Sequence, residues 1–222
     1  MSSKTIRTTI VCACVFVGFA GCSKPTEAPD NPLGSYVPLN VGDIAQTVSV
    51  DDSSTVLTRV LRTVKRSDSL EVFEVEITIG TLRPSIAYFG ISGGYYVYTG
   101  LDSSSTYPGN PFAEQRLGEE HPKDGDTWNQ MVGHPDTLFF VATYVGNMST
   151  WLGDFKDVFA FTEKSIKNGF SFDITGYFAP DIGWIASYIN NRPDSWTSYV
   201  KVNGTERGAL LPARNPKSVP VQ

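Results

Sequence analysis

The stretch "TVLTRVLRTV" (Thr55–Val64) decides the fold, because it can be read in two ways. Val56, Leu57, Val60, Leu61 and Val64 have the spacing of a helix stripe. Yet six of the ten residues, Thr55, Val56, Thr58, Val60, Thr63 and Val64, are β-branched. Such side chains lose rotamer freedom in a helix and pack well on a pleated surface. The polar run from Arg66 to Ser69 then leads into Glu71 to Ile79, where Phe73, Val75, Ile77 and Ile79 alternate with Glu74, Glu76 and Thr78. Period two is the mark of a strand with one buried and one wet face. A strand over 55–64 paired as a hairpin with 71–79 satisfies both segments.

Outward from this hairpin the same period recurs. Ser171 to Phe178, Ile44 to Val50 and Trp196 to Val202 read as strands. Leu138 to Val145 and Val158 to Phe161 are apolar on both faces, which predicts central strands covered on each side. Turn signals fall between them at Ser92-Gly93-Gly94, Pro108-Gly109-Asn110 and Asp124-Gly125. The expected class is all-β, or mainly β with one or two short helices, built as an antiparallel sandwich or open barrel.

The N-terminus carries an address. Lys4 and Arg7 precede a compact apolar run from Ile10 to Ala20, too short for the roughly 20 residues of a membrane span and suited to a processed signal. Phe19-Ala20-Gly21-Cys22 resembles the lipobox of bacterial lipoproteins. The resemblance implies that Cys22 is acylated as the first residue of the mature chain, and Ser23 after it is similar to the usual occupant in lipoproteins sent to an outer membrane. Two or more acyl chains give stable anchoring where one does not. Ser23 to Ser35 holds Pro25, Pro29 and Pro32, a composition that makes a semi-rigid spacer. The expected organisation is a signal over 1–21, the lipidated cysteine and linker over 22–35, one β-rich domain over 36–207 and a Pro-rich flexible tail over 208–222.

Composition narrows the function. All three cysteines, 12, 14 and 22, lie in the signal or at its end, so the domain has no disulfide and no thiolate chemistry. Without residues 1–21 the chain carries 16 basic and 23 acidic residues, a net charge of −7, and no basic stripe that would suit nucleic acid.

Three short motifs carry a second resemblance: Tyr36-Val37-Pro38-Leu39-Asn40-Val41-Gly42, Gly125-Asp126-Thr127-Trp128 and Tyr177-Phe178-Ala179-Pro180-Asp181-Ile182-Gly183-Trp184. Together they resemble a group of uncharacterised β-rich bacterial lipoproteins with a "PL-x-VG" opening strand, a central "GDTW" and a late "Y-[YF]-AP-x-[VI]-G" turn. This group supplies no catalytic residue to carry over. Physically, Pro180 ends a strand and Gly183 suits a turn with positive φ, after which Ile182, Trp184 and Ile185 are expected to dock on the sheet.

Candidate chemistry is sparse. Gly90-Ile91-Ser92-Gly93-Gly94 matches the G-x-S-x-G of a serine hydrolase elbow, with His121 or His134 as base and Asp102 as acid. An elbow needs a strand turning into a helix, whereas Tyr95 to Tyr98 is aromatic and β-rich, so a hairpin turn is the better reading. Glu119, Glu120, His121, Asp124 and Asp126 crowd together without the spacing of a calcium loop and read as a solvated loop. No metal or cofactor is called for. The Asn147 and Asn203 sequons are accidental in a bacterial lipoprotein.

The aromatic residues are the most suggestive. Core filling explains most of them, but Tyr88, Tyr95, Tyr96, Tyr98, Trp128 and Trp184 are candidates for a binding face that takes an acyl chain, a glycan or an extended peptide. The expectation is a non-enzymatic, lipid-anchored envelope protein, attached to the membrane through Cys22, that binds an apolar ligand or a partner protein. The alternatives are a structural accessory subunit of an outer-membrane complex and, last, a hydrolase using Ser92.

Overall fold

A computed structural model describes residues 34–66, 69–100, 115–131, 137–167 and 170–216. Cys22, the linker as far as residue 33, His134, Asp102 and the turn at 108–110 lie outside them. The described residues hold thirteen strands and no helix.

Six strands form a first meander: β1 (Ile44–Ser49), β2 (Thr55–Lys65), β3 (Glu71–Ile79), β4 (Ser85–Ser92), β5 (Tyr95–Gly100) and β6 (Gln115–Glu119). Six more form a second: β7 (Thr127–Met131), β8 (Thr137–Thr150), β9 (Gly153–Lys167), β10 (Phe170–Ala179), β11 (Gly183–Ile189) and β12 (Arg192–Val202). All neighbours pair antiparallel, and the meanders are joined at β1 and β12, from Ile44 opposite Lys201 to Ser49 opposite Ser195. A short β13 (Thr205–Gly208) lies against β12. The sheet curls until β6 lies on β9, where a Cβ at Gly118 would come within 2.6 Å of the Phe161 ring. Side chains rather than a hydrogen-bonded ladder meet there, so the barrel is open.

The ambiguous Thr55–Val64 is a strand, and its helix-like spacing has a cause. The register with β3 slips between Val60, opposite Val75, and Arg62, opposite Glu74, leaving Leu61 as a bulge residue 40% exposed. One inserted residue inverts the alternation after it. Val56 and Val60 therefore share the inner face, while Val64 pairs with Val72 on the other.

Two strand readings need correction. The wet face expected on β3 is not uniformly wet: Glu74 is buried, held by Arg62 Nη2 at 2.8 Å and Nε at 3.2 Å and by the Tyr88 hydroxyl at 3.1 Å. The charge is shielded by its partners instead of by water. Leu138 to Val145 is not doubly covered, because β8 is next to the β7 edge and leaves Phe139 and Val145 exposed. Val158 to Phe161 in β9 is buried throughout, as its composition predicts.

The described part of the tail makes hydrogen bonds to the sheet. Leu211 N–H donates to Gln46 Oε1 at 2.7 Å while Gln46 Nε2 donates to the Leu211 carbonyl at 3.0 Å. Further on, Thr55 N–H donates to the Arg214 carbonyl and Thr81 N–H to Asn215 Oδ1. Residues 209–216 thus run as a strap across β12, β1, β2 and the β3–β4 turn.

Candidate functional site

The three motif segments converge. Tyr36 is fully buried, its ring edge-on to Phe159 at 5.2 Å and its hydroxyl donating to the Asp157 carbonyl at 2.5 Å. Pro38 packs against Gly183, which has φ +87°, and Asp181 N–H donates to the Ser35 carbonyl. Trp128 stacks on Phe140 at 5.1 Å in the same cluster as Tyr36, Phe159 and Phe161. Of the residues after Pro180, Ile182 and Ile185 dock in the core as expected. Trp184 does not: it stays 39% exposed, its Nε1 donating to the Ala186 carbonyl. These segments staple the N-terminal loop 36–42 across the open end of the barrel.

Beneath that loop is a cavity of about 470 Å³ between the two halves of the sheet. This size falls in the range of about 300–1,000 Å³ typical of small-molecule sites. Val56, Val60 and Val75 line it from β2 and β3, Phe89, Tyr96 and Leu117 from β4 to β6, and Phe178 and Trp184 from β10 and β11, with Val37 and Leu39 as part of its wall. The inner-facing residues of β2 and β3 alternate with outward ones, and this alternation puts a continuous apolar surface on one side. Among the described residues Asp43 is the one carboxylate in the lining, and it accepts from Asn40 N–H at 2.9 Å, Asn40 Nδ2 at 3.4 Å and Asn203 N–H at 3.3 Å.

The six aromatic candidates separate. Tyr96 and Trp184 face the cavity. Tyr98 is not in the lining but packs beside it on Phe89, which also stacks with Tyr96 at 5.4 Å. Tyr95 packs edge-on to Trp128 at 5.9 Å under the Arg116 guanidinium, and Trp128 is solid core. Tyr88 is committed to Glu74. The pattern reading therefore gathers two of six at the cavity and misses Val56, Val60, Val75, Leu117 and Phe178, which are visible in the sequence only as ordinary strand residues. Their signal is the shared alternation phase of β2 and β3.

Ser92 has no elbow. It closes β4 opposite Tyr95, with Gly93 at φ +58° and Gly94 at φ +84° making a two-residue hairpin turn into another strand. In the acidic loop no three of the described His, Asp and Glu residues come together as a metal would need. His121 is exposed, its Nδ1 3.3 Å from the Gly34 carbonyl. Glu119 is the unusual member: burial, with Asp126 beside it, pushes its carboxyl up to about 7 against the opposing pull of Tyr95 and Lys123.

No family model matches the chain, and no curated protein matches it. Among solved structures it is similar to a crystal structure from Bacteroides fragilis, described as a protein inferred to be exported and to have a YmcC-like fold. The identity is 13%, the TM-score 0.42, and the match covers 76% of this chain and 99% of that one.

Proposed function

We propose that this chain is a non-enzymatic, lipid-anchored protein of the cell envelope, acylated at Cys22, whose β domain holds an apolar ligand. The observation that carries the ligand is the cavity of about 470 Å³, walled by aliphatic and aromatic side chains from both halves of the sheet. Unfilled apolar volume is costly, because its lining loses dispersion contacts and burial that a packed core would gain. A chain that can pack Trp128, Phe140 and Phe161 in mutual contact nearby leaves this space where an occupant restores the lost contacts.

The anchor rests on the sequence from Lys4 to Cys22 and sends the domain to the outer membrane. Cys22→Ser is expected to move the protein from the membrane fraction to the soluble one; retention on the membrane would end the lipidation reading. For the ligand, the full chain is extracted gently from its own envelope and weighed by native mass spectrometry. A small mass lost on denaturation is the expected result, and a clean protein mass across repeated preparations would count against a ligand.

A second reading, docking to a partner protein, is favoured by one observation. Edge strand β7 lies beside Phe139, which is 57% exposed on β8. An edge with an apolar neighbour suits an added strand, and a clean mass in the native experiment would shift weight to it.

A further inference from the structure

We infer that the cavity selects an uncharged acyl group, an ester or amide of a fatty chain, over a free fatty acid or a phosphate-bearing ligand, and that the Tyr96 hydroxyl reads its carbonyl. This inference rests on the ligand-cavity reading above and adds the ligand class.

Charge is the first argument. Among the described residues, the lining contains no Lys, Arg or His. Its one ionisable acid, Asp43, already accepts three hydrogen bonds from the protein and would repel a ligand anion. A carboxylate or phosphate taken out of water into this wall would meet no counter-charge and no charged donor. Such burial is strongly unfavourable. A long neutral chain has no such cost.

Hydrogen bonding supplies the second argument. Thr58 donates its hydroxyl to the Ala45 carbonyl at 3.2 Å, Thr197 to the Trp184 carbonyl at 2.9 Å, and the Trp184 indole donates to Ala186. Tyr96 and Thr47 are the lining hydroxyls with no hydrogen bond among the described residues. Tyr96 is enclosed by protein yet keeps accessible surface, so the surface it keeps faces the cavity. Its ring is fixed by the stack on Phe89. Burial also drives its hydroxyl well above the ordinary tyrosine range, keeping it a proton donor at any physiological pH. The hydroxyl borders the cavity, where water can meet it, and a donor that loses its water to a ligand offering no acceptor costs more than a made bond gains. A pure hydrocarbon would leave that donor unmet, and an ester or amide carbonyl would satisfy it.

The test uses the Cys22→Ser full chain, which carries no lipid of its own, titrated with 1-monopalmitoylglycerol and with palmitate at pH 8 by calorimetry. The ester is expected to bind at least tenfold tighter than the anion. Tyr96→Phe, which keeps the ring and its stack, is expected to weaken the ester by roughly 3–10-fold, the range of one neutral hydrogen bond, at an unchanged thermal midpoint. Thr47→Val is the comparison at the other unpaired hydroxyl, and a loss seen there with none at Tyr96 would overturn the role given to Tyr96. Palmitate binding as tightly as the ester would overturn the selection for uncharged acyl groups while leaving the cavity a site. Binding of neither probe to the Cys22→Ser chain, with or without Tyr96→Phe, would overturn the ligand-cavity reading itself.

Discussion

Two aromatic regions of this barrel are built from the same kinds of residue and end in opposite states. Around Trp128 the rings of Tyr95, Phe140 and Phe161 all lie within 6 Å, centroid to centroid, and Tyr36, Phe159 and Ala142 close the cluster at 8% exposure or less. Around Tyr96 the stack on Phe89 is the one ring contact among the described residues, and the facing Phe178 and Trp184 stand across a hollow. Aromatic content is thus no mark of a binding site. What distinguishes the hollow is that the strands continuing the Tyr96 side are aliphatic and flat, with Val56, Val60 and Val75, where no ring interdigitates.

This contrast can be broken most forcefully at Trp128. Trp128→Ala removes the centre of the packed cluster and is expected to destabilise by about 3–5 kcal/mol, read as a drop in the urea midpoint at unchanged slope. A loss under about 1 kcal/mol would mean that the cluster is not close-packed. A paired enlargement sharpens the comparison. Ala142→Leu, in the packed cluster with no exposure, is expected to cost about 1–3 kcal/mol, while Ala45→Leu, on the cavity wall, is expected to change stability by less than about 1 kcal/mol. Equal costs at both positions would show the cavity to be no looser than the core.

A smaller effect is expected at Glu119, which borders the packed region through Tyr95. Its carboxyl titrates near 7 in the folded chain against 4.5 when free. A raised acid favours the protonated form on folding, so the stability it lends is full at low pH and is lost as pH rises from about 4.5 to about 7. Glu119→Gln is expected to flatten that slope and to exceed the unmutated chain in urea midpoint at pH 8 but not at pH 4.5. The smallest effect is Arg62→Leu, which removes the guanidinium over Glu74: the Arg62 side chain is exposed, so a slight drop in urea midpoint is expected, smaller at high salt than at low.

The hairpin of β2 and β3 was legible because β-branching outweighs a helical spacing, and the spacing itself is explained by a single bulge at Leu61. The turn at Ser92-Gly93-Gly94 was legible from its glycines. The coverage of β8 was not, because an apolar run in a strand says nothing of whether that strand is central or next to an edge; that depends on how many strands follow. Glu74 shows the same limit at one residue: its burial depends on Arg62 and Tyr88 arriving from neighbouring strands. The cavity was half legible. Its aromatic wall stands out by composition, but its aliphatic wall is a matter of phase, and phase says which residues share a face without saying that the face borders a hollow. The strap was hidden by its prolines, which signal an irregular chain without telling whether Gln46, Thr55 and Thr81 will hold it.

The seam between β1 and β12 has a consequence for time. Each other pairing on the path from β6 to β7 is a hairpin between neighbours in sequence and can form as soon as its residues exist. The seam joins residues 44–49 to 195–201, so during vectorial synthesis β1 waits with one edge unpaired until almost the whole domain has emerged. The hollow has walls on both sides of this seam. It comes into being only with the last full strand, and an incomplete chain presents an open, sticky edge where the finished one presents a container.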